Sequence, residues 1–194
     1  SANLPSVDVI PSEHFNTVLY TGNGSARSIT TGFDTGFVWT KARNQTYDHN
    51  LFDSVRGALK KISSNSSNAE SSMTNSVTSF DTDGFTLGDT AQVNLNNGTF
   101  VAWNWKAGGT ASSNTNGSIT SSVSANAAAG FSIVTYTGNG TAGATVGHGL
   151  SSVPTLVIAK SRTVSGKHWA TYVESLGNTV RIDLESSGAK ITGT

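Results

Sequence analysis

The chain carries one segment twice, and folds that can be built from one pattern used twice are few. Residues 15–24, FNTVLYTGNG, match residues 131–140, FSIVTYTGNG, at an offset of 116 (131 − 15). Residues 37–43, FVWTKAR, face residues 156–162, LVIAKSR, at an offset of 119, which aligns Lys41 with Lys160 and Arg43 with Arg162. His49 and His168 keep that offset, and Asp53-Ser54 then falls near Glu174-Ser175. A drift of three residues between matched blocks is what a loop insertion between retained strands produces, so we read an internal duplication. The first copy runs on through residues 80–87, FDTDGFTL, and 93–105, VNLNNGTFVAWNW, whereas the second reaches Thr194 before any equivalent. A sandwich without its last strands exposes edges that pair or aggregate. The expected organisation is an N-terminal arm over 1–14, a first repeat over 15–109, a connector over 110–130 and a partial second repeat over 131–194. The repeat pattern is expected to continue past Thr194, and a start at Ser1-Ala2 without Met is expected to be trimmed or processed.

Inside the repeats the hydrophobic period is two. Val101, Trp103 and Trp105 fall on one face of a strand with Ala102, Asn104 and Lys106 on the other, and at least one of the two tryptophans is expected in the core. Residues 17–20 read as a strand ended by Thr21-Gly22-Asn23-Gly24, a turn whose Gly and Asn accept positive φ. Residues 80–87 read as a hairpin around Asp81 to Gly84. Residues 95–99, LNNGT, read as a second hairpin, because Asn-Gly favours a type I′ turn. Residues 51–59 predict strand, bend, strand; Ser67 to Glu70 offers at most one capped helical turn. Within 110–130 the alternation of Ile119, Ser121 and Val123 predicts an extended connector with one short strand. Short strands with frequent turns point to all-β, antiparallel β-sandwich repeats of jelly-roll or lectin-like type.

Composition narrows the function. Charged residues are 12% of the chain, about half the usual share, and twelve basic residues balance twelve acidic ones. Phosphate binding needs a local cation excess, so no nucleic-acid partner is expected. No run approaches the roughly 18 apolar residues of a membrane span, so no insertion is expected. The absence of Cys removes disulfides, thiolate metal sites and Cys nucleophiles together. No cofactor and no catalytic residue is expected.

Four residues are candidates for ligand contact. A sugar's C–H face stacks on an aromatic ring, and Trp39 and Trp169 lie on candidate outer strands. Lys41 and Arg43 alternate on one strand face, as do Lys160 and Arg162; such a face is ordinarily solvated, and here it could meet an acidic glycan or a neighbouring subunit. Asp81 and Asp83 open a calcium-loop pattern, but Ca²⁺ takes about six to eight oxygens and Asp89 is the one further carboxylate nearby, so a hairpin turn is expected. Asp53 to Gly57 with His49 holds the residue types of a triad, without a nucleophile elbow; an Asp–Arg pair bracing a turn is expected. His148, between glycines, is expected to bond backbone.

The stretches VLYTGNGS, FDSVRG, SFDTDGFTLG, VAWNWKAGG, GSITSSVSANAAAGFSIVTYTGNG and VGHGLSSVPTLVIAKSR resemble an uncharacterised repeat domain of marine tailed phages, of cyanophage and pelagiphage type. That domain sits in large virion structural and tail-fibre proteins. The resemblance runs from about Phe15 to the end; residues 1–14 do not fit the pattern, and no catalytic residues carry over. It implies tandem β-sandwiches and a virion location, with assembly in the host cytoplasm. The expected function is a tail-fibre or surface-appendage module that displays a host-recognition surface. Its expected partners are other virion proteins, further copies of itself (a trimer being usual for fibres), and a host surface glycan or protein. A capsid decoration or cement protein, with residues 1–14 as a clamp, is the alternative. A glycan-cleaving tailspike ranks last, since it needs paired carboxylates in a cleft.

Overall fold

The computed structural model describes residues 9–192. The first copy supplies β1 (Phe15–Thr21), β2 (Arg27–Thr30), β3 (Phe37–Ala42), β4 (Asn50–Asp53), β5 (Lys60–Ser63), β6 (Ser71–Ser72), β7 (Val77–Asp81) and β8 (Gly84–Leu87). A single helical turn, α1 (Ala91–Asn94), and the long strand β9 (Thr99–Trp105) complete it. The connector holds β10 (Ser112–Asn114) and β11 (Ser121–Asn126). The second copy contributes β12 (Phe131–Tyr136), β13 (Leu156–Ala159), β14 (Ala170–Val173), β15 (Val180–Asp183) and β16 (Ile191–Thr192). The fold is all-β, and its named strands pair antiparallel throughout.

The first copy is a sandwich. A six-stranded sheet, β1-β9-β3-β4-β5-β6, packs on a three-stranded sheet, β2-β8-β7. Between them lie Tyr20, Val38, Phe52, Phe100 and Ala102 from the large sheet, Ile29, Val77, Phe85 and Leu87 from the small one, and Val93 of α1. Val38, Phe52, Phe85 and Phe100 are fully buried, and each such side chain stabilises the fold by about 1.5–3 kcal/mol. Inside, Tyr20 donates its hydroxyl to the Val93 carbonyl at 2.7 Å, and burial pushes its pKa up.

Several local expectations hold. Residues 51–59 hold the end of β4 and the turn that follows, the second strand starting one residue later at Lys60, and β7 and β8 form the hairpin around Asp81 to Gly84. Gly24 takes φ +66°. Gly22 is there for closeness instead: a Cβ would sit 2.2 Å from the Leu95 carbonyl oxygen.

Others give way to tertiary contacts. Residues 95–99 are not a hairpin; they link α1 to β9. The buried Asn94 amide donates to the carbonyls of Ser25 and Gly88 at 2.7 and 2.8 Å, tying two loops to α1 and overruling the local turn preference. Ser67 to Glu70 form no helix, because their backbone and side chains are engaged by the second copy. The connector holds two strands where one was expected, and β11 pairs with β12. Neither Trp103 nor Trp105 faces the sandwich core: Phe100, Ala102 and the fully buried Asn104 do, and the Asn104 amide donates to the carbonyls of Asn16 and Ala102.

The second copy repeats half of this plan. Its sheet, β13-β14-β15-β16, reproduces β3-β4-β5-β6 in order and register. Phe37 faces Asp53, as Leu156 faces Val173; Leu51 faces Ile62, as Thr171 faces Ile182; Lys61 faces Ser71, as Arg181 faces Ile191. The offset is 119 at β13 and 120 from β14 onward, so His49 corresponds to Trp169 and not to His168. A backbone contact confirms it: His49 N–H donates to Asn65 Oδ1 at 3.0 Å, and Trp169 N–H to Glu185 Oε2 at 3.1 Å.

Candidate functional site

The large sheet has a second face, and it is aromatic. In a strand pair, directly opposite residues share a face, so Thr17, Trp103, Trp39, Leu51 and Ile62 form one row across five strands. Phe15, Trp105 and Phe37 form the next row, and Leu19, Val101 and Lys41 the one on the other side. Trp39 and Trp103 meet edge to face with centroids 6.0 Å apart, and Phe15 lies 4.8 Å from Trp105.

Later chain covers two parts of this face. Phe131 of β12 stacks on Trp105 at 6.0 Å and meets Phe37 edge-on. Trp169 closes over Leu51 and Ile62, against Phe37 and Trp39. The middle stays open: Leu19 is 62% exposed, Thr17 is exposed, and Trp39 and Trp103 are half-buried.

The four expected contact residues therefore separate. Trp169 is only 7% exposed and donates its indole N–H to the carbonyls of Ser63 and Ser66 at 2.9 and 3.1 Å. It is a packing residue between the copies, closed to a sugar, because apolar contact and two indole acceptors both lie inside the protein. Trp39 stays accessible on one side, and its indole N–H donates to His49 Nδ1 at 3.1 Å. Burial pushes the His49 pKa down, and the Lys41 charge adds to this against Asp48. A neutral ring with a free Nδ1 lone pair is the form this bond needs. Lys41 donates to the carbonyls of Tyr47 and Gln45 at 2.6 and 3.0 Å, which bends the strand exit beneath the tryptophans. Arg43 lies beyond the end of β3 and is exposed.

The remaining candidates are structural in their contacts. Asp81 Oδ2 accepts from the Thr86 hydroxyl at 2.8 Å within the hairpin, and Asp83 is exposed in its turn. Among the described residues no three His, Cys, Asp or Glu converge as a metal site would require. His148 Nδ1 accepts from the Leu150 N–H. Asp53 braces its turn through the backbone N–H groups of Val55 and Arg56 and pairs with the Arg56 guanidinium.

A polar seam fixes the second copy to the first. Arg162 makes a two-pronged pair with Glu70, 3.0 Å at each oxygen, and Arg56 reaches Glu70 Oε2 at 3.2 Å. Burial pushes the Glu70 pKa up, but hydrogen bonds and charge from Arg162 and Arg56 outweigh it and hold the carboxyl below its ordinary value. Lys160 Nζ donates to the Ser67 carbonyl at 3.0 Å. The sequence offered the repeated Lys and Arg as a face for solvent, an acidic glycan or a neighbouring subunit; Lys160 and Arg162 instead meet the first copy of the same chain. Glu70 carried no signal, because its counterpart is Lys190 and no repeated acid marks the position.

The open aromatic row offers flat apolar rings with flanking hydroxyl, imidazole and cation groups. Two open grooves lie elsewhere, one lined by Asp34, Ser54 and Phe80, the other by Ser121, Thr135 and Arg162. Residues 10–194 match a family described as Domain of unknown function (DUF7483). The chain belongs to the DUF7483 family. The match spans both copies and the connector, so the family unit includes the seam as well as the sandwich. No curated protein and no solved structure matches the chain. Among the described residues no helix is long and apolar enough to cross a membrane.

Proposed function

We propose that this chain is a contact module of a bacteriophage particle, in a tail fibre or surface appendage, and that it recognises host-surface glycan on the open middle of its aromatic face. The observation that carries the reading is the row Thr17, Trp103, Trp39, whose rings are held edge to face at 6.0 Å and left half-open while Phe131 and Trp169 cover neighbouring parts of the same face. Stacking of a pyranose C–H face on such a ring is weak per site, and many copies on one particle multiply it into firm attachment. The likeness of the repeat blocks to tailed-phage structural proteins supports the virion setting. A low-charge Ser, Thr and Asn surface suits contact through shape and hydrogen bonds.

A glycan array tests the binding. The chain is expected to retain a defined set of glycans, and Trp103→Ala or Trp39→Ala is expected to abolish the signal while the fold, read by circular dichroism, persists. Undiminished binding by both variants removes the row from the site. Antibody labelling of intact particles tests the setting: label on the tail supports it, label on the capsid shell favours a decoration role, and an unlabelled particle ends the virion reading.

A further inference from the structure

β3 and β13 are one strand in two settings. In the first copy β3 lies between β4 and β9, with Val38 fully buried and Phe37 and Trp39 half-buried. In the second copy β13 keeps its β14 neighbour, but among the described residues no strand pairs with its other edge. The counterpart side chains Leu156, Val157 and Ile158 are 55%, 45% and 42% exposed, and Val153, 79% exposed, extends the apolar edge. An exposed, apolar edge strand is a template for pairing, and the first copy displays what fills it.

We propose that the free edge of β13 is an acceptor site for an extended strand of the β9 kind, supplied from outside residues 9–192. The chain's own β9 cannot be the donor, because it is laddered along its length to β1 and β3. Carried over from β3 and β9, the register sets Leu156 opposite a Trp105-like residue, Val157 opposite Asn104-like, Ile158 opposite Trp103-like and Ala159 opposite Ala102-like. The donor therefore alternates aromatic residues with small or amide ones. Its backbone satisfies the unpaired N–H and C=O groups of β13, and its rings cover Leu156 and Ile158, which is strand addition at a sheet edge. This site is separate from the tryptophan row of the proposed function and stands without it.

A peptide with the sequence of residues 98–107 serves as the probe on the whole chain. Hydrogen exchange at Leu156–Ala159 is expected to be fast in the free chain and to slow by roughly tenfold or more with saturating peptide. The chain has no cysteine, so register can be read by disulfide trapping. An Ile158→Cys chain is expected to crosslink to peptide bearing Trp103→Cys and not to peptide bearing Asn104→Cys, since a one-residue slip puts the thiol on the opposite face. A Trp39→Cys chain, whose equivalent edge is already occupied by β9, is expected to capture neither. Absence of slowing, equal slowing by a scrambled peptide, equal trapping of both Cys peptides, or sedimentation showing a dimer paired through β13 would each overturn the proposal.

Discussion

Across β3–β6 and β13–β16 the two copies share strand registers and differ in burial, whereas β1 pairs with β9 and β12 with β11. Val38 is fully buried and Val157 is 45% exposed; Phe52 is fully buried, whereas Tyr172, its counterpart, is half-exposed. Side-chain chemistry at the strand ends has even changed sign. Asp48 bonds Asn65, Ser63 and Lys61 in the first copy; at the matching place His168 meets Glu185 and Asp183. Pairing of β3 to β6 therefore survives without the layer that buries it. Adjacent antiparallel strands joined by short turns need little from distant chain, whereas burial needs a facing sheet, which among the described residues packs on the first copy.

Core truncation should separate the copies most. Phe52→Ala is expected to cost about 3–5 kcal/mol in urea unfolding, and Tyr172→Ala below about 1 kcal/mol. Equal costs would break the contrast. The seam comes next. Glu70→Lys, which installs the residue type of Lys190, leaves Arg56 and Arg162 facing a like charge. A loss of about 2–3 kcal/mol is expected, short of the full cost of breaking a buried pair because Arg162 is 40% exposed. Trp169 emission is expected to shift red as the second copy detaches; an unchanged spectrum would show that apolar contact alone holds it.

Acid should act on the seam in the same sense. A carboxyl held below its ordinary value contributes stability that is fully present above that value and lost as pH falls through the folded one. Glu70 and Glu185 are both held below 4.5, Glu185 because backbone and His168 hydrogen bonds outweigh its burial. The second copy is therefore expected to loosen below pH 4.5 before the sandwich core melts, as read by Trp169 emission against far-ultraviolet dichroism. Simultaneous loss would show one cooperative unit. The smallest effect concerns His49, held below its ordinary 6.5 mainly by burial. Its bond from Trp39 is present above that pH and is lost as protonation fills Nδ1, at about 1 kcal/mol or less. The Trp39 indole proton resonance is expected to move as pH falls below 6.5, and His49→Gln is expected to abolish the movement.

Much of this was legible in the residues. The duplication, the β7–β8 hairpin and the turn between β4 and β5 followed from repeated blocks, Gly and Asp positions and period two. Legibility failed where a distant group intervened. Asn94 turned an Asn-Gly hairpin signal into the exit of a helical turn by bonding two loops. His49 and His168 matched as letters, yet one added residue put Trp169 at the His49 position, which a gap-free alignment cannot see. Trp39 and Trp169 looked alike as exposed-strand aromatics, and only the folded seam distinguished an open ring from a sealed one.

By itself the amino-acid order determined the strands, their alternation and the second use of one four-strand plan, because period-two patterning and short turns act over neighbouring residues. The tertiary structure alone decided which alternating face became the core, which tryptophans stayed open and that β13 lacks the neighbour β3 has. Those outcomes depend on layers contributed by chain far away in sequence, and on the desolvation those layers impose.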